Sequence, residues 1–273
     1  MDTLPATLAE GTEAEVMYQF VSMAPPSIKS RLQIATTRIG GGVALSVRND
    51  ATGFWSKALG FGFAEPITHD LIGRVVDFYR AQDSKGAVFQ IAPSVLPPNW
   101  NEISAEYGLR PDSYWVKLAA PVEDFWAGRS TLSVSPVDPG NVRDWATVTF
   151  RGFGMPEDGF TEMVAGSVAN PDVRPFAAWD GDTMVATGTL FVRGEIGSLN
   201  AGATLPSHRN QGAQSALLAA RAEAAAKAGC RWLIAETGLP AKGGSNPSLN
   251  NLLRAGFRPL YSRRNWNWQP DAA

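Results

Sequence analysis

At 273 residues, with 44% hydrophobic and 18% charged residues, the chain suffices for one large domain or two of ordinary size and can fill a core. A net charge of -2 and a pI near 5.8 supply no basic face of the kind that a general nucleic-acid binder uses. No run approaches the ~20 apolar residues that span a bilayer, and the opening MDTLPATLAEGTEAEV is acidic and polar, so a soluble, cytoplasmic protein without nucleic-acid or membrane partners is expected.

The predicted elements begin with two strand-like runs, RLQIATTRI and VALSVRN, around Gly40 to Gly42, which reads as a turn or bulge because no helix pattern follows it. EPITHDLIGRVVDFYRAQ carries an apolar stripe, Leu71, Ile72, Val75, Val76 and Tyr79, of a helix starting near Pro66. AVFQIAP is a short buried strand. WNEISAEYGLRP is a helix ended by Gly108, and SYWVKLAAP a strand.

A second series follows. TLSVSPV, near Thr131, is a strand, and DPGNVRDWATVTFRGF and PEDGFTEMVAGSVA are helical. RPFAAWDGDTMVATGTLFV is a hairpin turning at Asp180-Gly181. IGSLNAGATL is a strand, GAQSALLAARAEAAAKAG an Ala-rich helix stopped at Gly229, and CRWLIAET a buried strand. PSLNNLLRAGFRP is a helix ended by Gly256, and LYSRRNWNW a last strand. Both series end as strand, helix, G-L/F-R-P, strand, with Gly108 and Gly256 148 residues apart. This repeat predicts two domains of one architecture, residues 1–125 and 126–273, with the boundary between Ala119 and Arg129.

One cysteine, Cys230, excludes an internal disulfide and a zinc site of paired cysteines. His69 and His208 are the only histidines and stand far apart, so no metal is expected, although a carboxylate-dominated site stays open. Neither a nucleophile elbow G-x-S-x-G nor a phosphate loop G-x-x-x-x-G-K-[ST] occurs.

The stretch TLPSHRNQGAQSALLAAR, Thr204 to Arg221, runs from a strand through a glycine-bearing loop into a helix. Unpaired N–H groups and the positive end of the helix dipole suit phosphate there; Gly212 admits a ligand to the backbone and Arg209 adds charge. The same residues also suit an ordinary loop capping a helix, with Arg209 solvated. In the first half the corresponding stretch, FGFAEPITHD, has no Arg-x-x-Gly.

The segment R-N-Q-G-A-Q, Arg209 to Gln214, preceded by Thr204-x-Pro206 and followed by SLNNLLRAGFRPLY, resembles the acetyl-CoA signatures of the GNAT N-acetyltransferase superfamily over residues 130 to 268. The resemblance implies an α/β (by some conventions α+β) fold of two GNAT-like domains, each a mixed, mostly antiparallel sheet flanked by helices, the first degenerate and without a CoA motif. It implies acetyl-CoA as acyl donor. The pantetheine would lie along Gly202, Ala203 and Thr204, with a bulge at Gly202, and the pyrophosphate would take N–H groups around Asn210, Gln211, Gly212, Ala213 and Gln214, near Arg209. Gln214 stands where the family has Gly or Ala, so its side chain must turn from the phosphates or touch them. Leu252 stands where many members keep a tyrosine general acid.

Ser248, Asn251 and Tyr261 are the replacement acids considered; Ser248 and Asn251 also suit helix capping and surface, with Asn251 able to contact the cofactor, and Tyr261 suits strand packing. Glu236 is the expected general base, with Glu195 in reserve. His208 belongs to the phosphate end or to structure. Trp266 and Trp268 share one strand face and line either an acceptor pocket or a core. The expected activity is acetyl transfer to the amine of a small molecule by direct attack, in a monomer or homodimer; a silent CoA-binding module, or transfer to a hydroxyl or a protein terminus, are the alternatives.

Overall fold

A computed structural model describes residues 3–125 and 132–270. The expected strand start at Thr131 and the boundary residues 126–129 lie outside that range. Contacts divide the chain into two compact units, Met1–Val116 with Tyr261–Ala273, and Lys117–Leu260.

The first unit opens with α1 (Ala6–Ser22), in the polar segment to which no element was assigned. Its buried side mixes Val16, Phe20 and Val21 with Glu10, Thr12 and Glu13, so no clean apolar stripe marks it in sequence. Glu10 and Glu13 tolerate burial because both pair with the fully buried Arg263, and the Tyr261 hydroxyl donates to Glu10 at 2.7 Å. After α2 (Pro26–Leu32), β1 (Ile34–Ile39) and β2 (Gly42–Val47) form a hairpin. Gly40 and Gly41 close it with φ of +52° and +82°, the paired left-handed conformation that glycine adopts at least cost. β3 (Lys57–Leu59) is antiparallel to β2. Then α3 (His69–Ala81) crosses to β4 (Ala87–Gln90), which is parallel to β3. α3 begins at His69, not Pro66, because the Thr68 side chain accepts from Leu71 N and caps it; the predicted stripe Leu71, Ile72, Val75, Val76 and Tyr79 is 0% exposed. α4 (Trp100–Glu106) ends before Gly108, at φ +68°, and β5 (Arg110–Pro121) follows. The unit boundary falls inside β5.

In the second unit β6 (Ser133–Pro136) precedes α5 (Val142–Phe153) and α6 (Phe160–Gly166). β7 (Val173–Asp180) and β8 (Thr183–Arg193) make the predicted hairpin, with Gly181 at φ +56°. β9 (Ile196–Thr204), α7 (Ala213–Lys227) and β10 (Trp232–Gly238) repeat the strand–helix–parallel-strand crossover of the first unit. α8 (Pro247–Arg254) and β11 (Arg258–Trp268) complete the elements.

The strand order is β1-β2-β3-β4-β11 in the first unit and β10-β9-β8-β7-β6 in the second. β11 thus begins in the second unit and ends in the first, where it runs antiparallel to β4 from Asn265↔Gln90 to Trp268↔Ala87. A single cut near residue 125 misses this. Trp266 meets Trp100 edge-on at 5.2 Å and Trp268 stacks on Tyr79 at 5.7 Å, so both tryptophans fill the first unit's core. Apolar area, not sequence proximity, decides where the last strand docks.

Candidate functional site

In the second unit, β8 and β9 keep regular register from Arg193↔Ile196 to Thr189↔Asn200 and resume at Thr187↔Ala203. Gly188 therefore opposes two residues, Ala201 and Gly202, in a β-bulge. Expected at Gly202, the bulge includes it, but the left-handed conformation belongs to Ala201, at φ +51°. On the other side β9 pairs with β10 only at Ile196↔Trp232, Gly197↔Leu233 and Ser198↔Ile234. Both strands continue beyond that rung, β9 to Thr204 and β10 to Gly238, so the parallel pair opens there. Gly202 is exposed along the opening.

The loop from β9 to α7 turns through Asn210, at φ +64°, and Gly212, at φ +79°. No side chain caps α7; Gly212 is its N-cap, and the first intrahelical bond runs from Ala216 N to Gly212 O. The N–H groups of Ala213 and Gln214 precede that bond and have no carbonyl of the helix to pair with, so this helix end offers an anion both donors and dipole. The first unit contrasts: α3 is capped by Thr68 and carries Asp70 in its first turn. Gln214 turns its side chain to β9, its amide donating to Ala203 O at 3.0 Å and Thr204 Oγ1 at 2.9 Å, which leaves its backbone free for a ligand. Arg209 is not merely solvated. Its guanidinium donates to Gly152 O at 3.1 Å and lies 3.4 Å from Thr204 O, tying the loop to the end of α5. His208 faces Asp180 at 3.4 Å and Ser207 at 2.8 Å, beside the β7–β8 turn.

Glu236 stands on β10 two residues past the last rung, its side chain 13% exposed. Lys117, in the second half of β5 and 1% exposed, places Nζ 3.1 Å from Glu236 Oε2. Sequence reasoning passed over Lys117; the signal was a lone cation inside the apolar run YWVKLAA. Glu195 precedes β9, seven residues and about 23 Å of extended strand from Gly202, and meets Arg231 at 3.6 Å. Ser248 is exposed in the first turn of α8, where its N–H, not its hydroxyl, bonds the capping Asn246 at 2.9 Å. Asn251 accepts from Arg254 at 2.7 Å, and Leu252 is buried. Tyr261 groups with the first unit, and burial together with the Glu10 carboxylate pushes its hydroxyl well above the ordinary tyrosine range. A further groove of about 390 Å³ between α5 and the β7–β8 hairpin is lined by Asp144, Arg151, Trp179 and Asp182 and contains none of residues 209–214. Among the described residues no cluster of His, Cys, Asp and Glu has a metal-holding arrangement, and no helix is long and apolar enough to cross a membrane.

A crossover whose parallel strands part beside a helix end with no side-chain cap leaves an opening in which a phosphate-bearing ligand can reach backbone donors. The segment 141–243 matches the Acetyltransferase (GNAT) family, and that segment is accordingly a GNAT-type acyltransferase domain. Its fold, two GNAT-like domains, is that of a GCN5-related N-acetyltransferase from Kribbella flavida, with 15% identity over 99% of this chain and 98% of the other, at a TM-score of 0.63. A tandem GNAT protein from the clavulanic acid biosynthesis pathway aligns over 96% of this chain and 97% of its own, with 13% identity and a TM-score of 0.58. A GCN5-related N-acetyltransferase from Sphaerobacter thermophilus reaches a TM-score of 0.60 at 14% identity, covering 78% of this chain and 71% of that one. No curated protein matches in sequence.

Proposed function

We propose that the chain transfers the acetyl group of acetyl-CoA to the amine of a small molecule in the cytoplasm, by direct attack in the opening between β9 and β10. The parting of these strands after Ser198↔Ile234, beside the uncapped N-terminus of α7, carries this reading. Acetyl-CoA supplies the acyl group as a thioester; the amine forms the C–N bond as the C–S bond breaks. Backbone groups of Gly202, Ala203 and Thr204 line the pantetheine, although Ala203 O already accepts from Gln214. Gly212, Ala213 and Gln214 offer N–H groups to the pyrophosphate, with Asn210 and Gln211 shaping the loop and Arg209 bracing it. Glu236 takes the amine proton, held in place by Lys117. One CoA site per chain, in a monomer or homodimer, belongs to the same proposal.

Thiol release from acetyl-CoA with a panel of small amines tests it. Amine-dependent thiol release together with a product gaining one acetyl group is expected; binding without turnover rejects it. The second reading, a silent CoA-binding module, is favoured by one observation: Leu252 is buried where relatives keep an acid, and Tyr261 is committed to Glu10. Turnover with any amine rejects that reading.

A further inference from the structure

Arg221 lies in the Ala-rich helix α7 at a position where its neighbours Leu217, Leu218, Ala222 and Ala225 are apolar and buried. It is itself 2% exposed and has no carboxylate partner among the described residues. Its bonds go to three backbone carbonyls. Nε donates to Leu217 O at 3.0 Å, and Nη1 bridges Thr189 O at 3.2 Å and Asn200 O at 3.1 Å. Thr189↔Asn200 is the last regular rung before the bulge.

Two glycines show how closely the guanidinium is built into the strands. A Cβ on Gly188, the residue opposite the bulge, would fall 2.6 Å from Arg221 Cζ. A Cβ on Gly202 would fall 3.9 Å from Arg221 Nη2 and 2.9 Å from Gln214 Oε1. Burying a cation without a counter-charge costs stability that a leucine or methionine in the same space would avoid. Packing therefore does not account for an arginine here. Burial lowers its pKa to about 10, so it remains charged at neutral pH.

We propose that Arg221 is a positioning residue for acyl transfer: it bridges the two strands at the Thr189–Asn200 rung, fixes the bulge at Ala201 and Gly202, and places a positive charge beneath the backbone that meets the thioester carbonyl. This rests on the proposed reaction. Negative charge gathers on the carbonyl oxygen as the amine attacks, and a preorganised donor with fixed charge behind it stabilises that oxygen. Gly188 is the matching half of the device, since only a residue without a side chain leaves room for the guanidinium.

The test compares Arg221→Met, Arg221→Lys and Gly188→Ala with the unmodified chain. Four quantities are read: thiol release with the amine panel, acetyl-CoA affinity by calorimetry, melting temperature, and amide exchange over residues 199–204. In folded Arg221→Met, kcat falls by up to about 10²-fold, the cost of an oxyanion donor left out of place, with acetyl-CoA affinity nearly unchanged and faster exchange at 201–202. Arg221→Lys recovers part of kcat, because it restores charge but not the bridge. If Arg221→Met fails to fold, Gly188→Ala displaces the guanidinium and shows the same split. Unchanged kcat, or kcat and affinity falling together with melting temperature, overturns the proposal. If the unmodified chain binds acetyl-CoA but acetylates no amine, the reaction reading fails separately, and unchanged exchange in Arg221→Met then overturns the positioning of the bulge as well.

Discussion

Lys117 Nζ lies 3.1 Å from Glu236 Oε2, joining side chains 119 positions apart in sequence, one just after the unit boundary in β5 and the other beyond the last paired rung of β10. Removing either partner deprives the other of this ion pair. Lys117→Met is expected to destabilise the fold by about 3–5 kcal/mol, and Glu236→Gln by a comparable amount. The double variant Lys117→Met/Glu236→Gln regains most of that stability. It does not regain kcat, which stays about 10²–10⁴-fold down with the base absent. Urea denaturation and steady-state kinetics check both; full activity of Glu236→Gln rejects the base.

Gly212 sits at φ +79° as the N-cap of α7. Gly212→Val is expected to cost about 1–3 kcal/mol in backbone strain and to weaken acetyl-CoA binding far more than it lowers melting temperature. Calorimetric titration checks this, and unchanged affinity in a folded variant would place the phosphate site elsewhere.

Calorimetry of the unmodified chain is expected to give one acetyl-CoA per chain. The N-terminus of α3 has its Thr68 cap and Asp70 in the first turn, so both donors and charge disfavour a second anion there. Two equivalent sites would contradict this.

Leu252 is 5% exposed, so Leu252→Tyr must find space for a ring. A loss of about 1–3 kcal/mol is expected from overpacking. A gain in kcat despite that loss would show that the missing acid limits the reaction; no gain would show that the thiolate leaves without it.

Alkaline stability follows from Tyr79 and Tyr261, both held above the ordinary value of 10.0, mainly by burial. Above that value the unfolded chain releases these protons and the folded chain keeps them. Stability is therefore full below pH 10 and falls as pH rises beyond it. Denaturation between pH 9 and about 11 should show the decline, and Tyr261→Phe should make it shallower.

The α3 stripe, the Gly40–Gly41 turn, the Asp180–Gly181 hairpin and the loop from Arg209 to Gln214 were legible in sequence because each depends on residues within a few positions of one another. Local conformational preference and apolar period determine such features. α1 was not legible, because Glu10 and Glu13 are tolerable inside only once Arg263, some 250 positions later, stands against them. The end of β11 joined the first unit because its tryptophans find their apolar partners, Trp100 and Tyr79, there. Lys117 beside Glu236, and Arg221 beneath Ala201 and Gly202, likewise depend on strand register and on which helix face turns inward. The sequence by itself determined the glycine-bearing start of α7 and the order of the elements whose patterns are local. The tertiary structure decided which buried charges meet, since a charge in an apolar interior persists only where distant chain brings it a partner or a carbonyl.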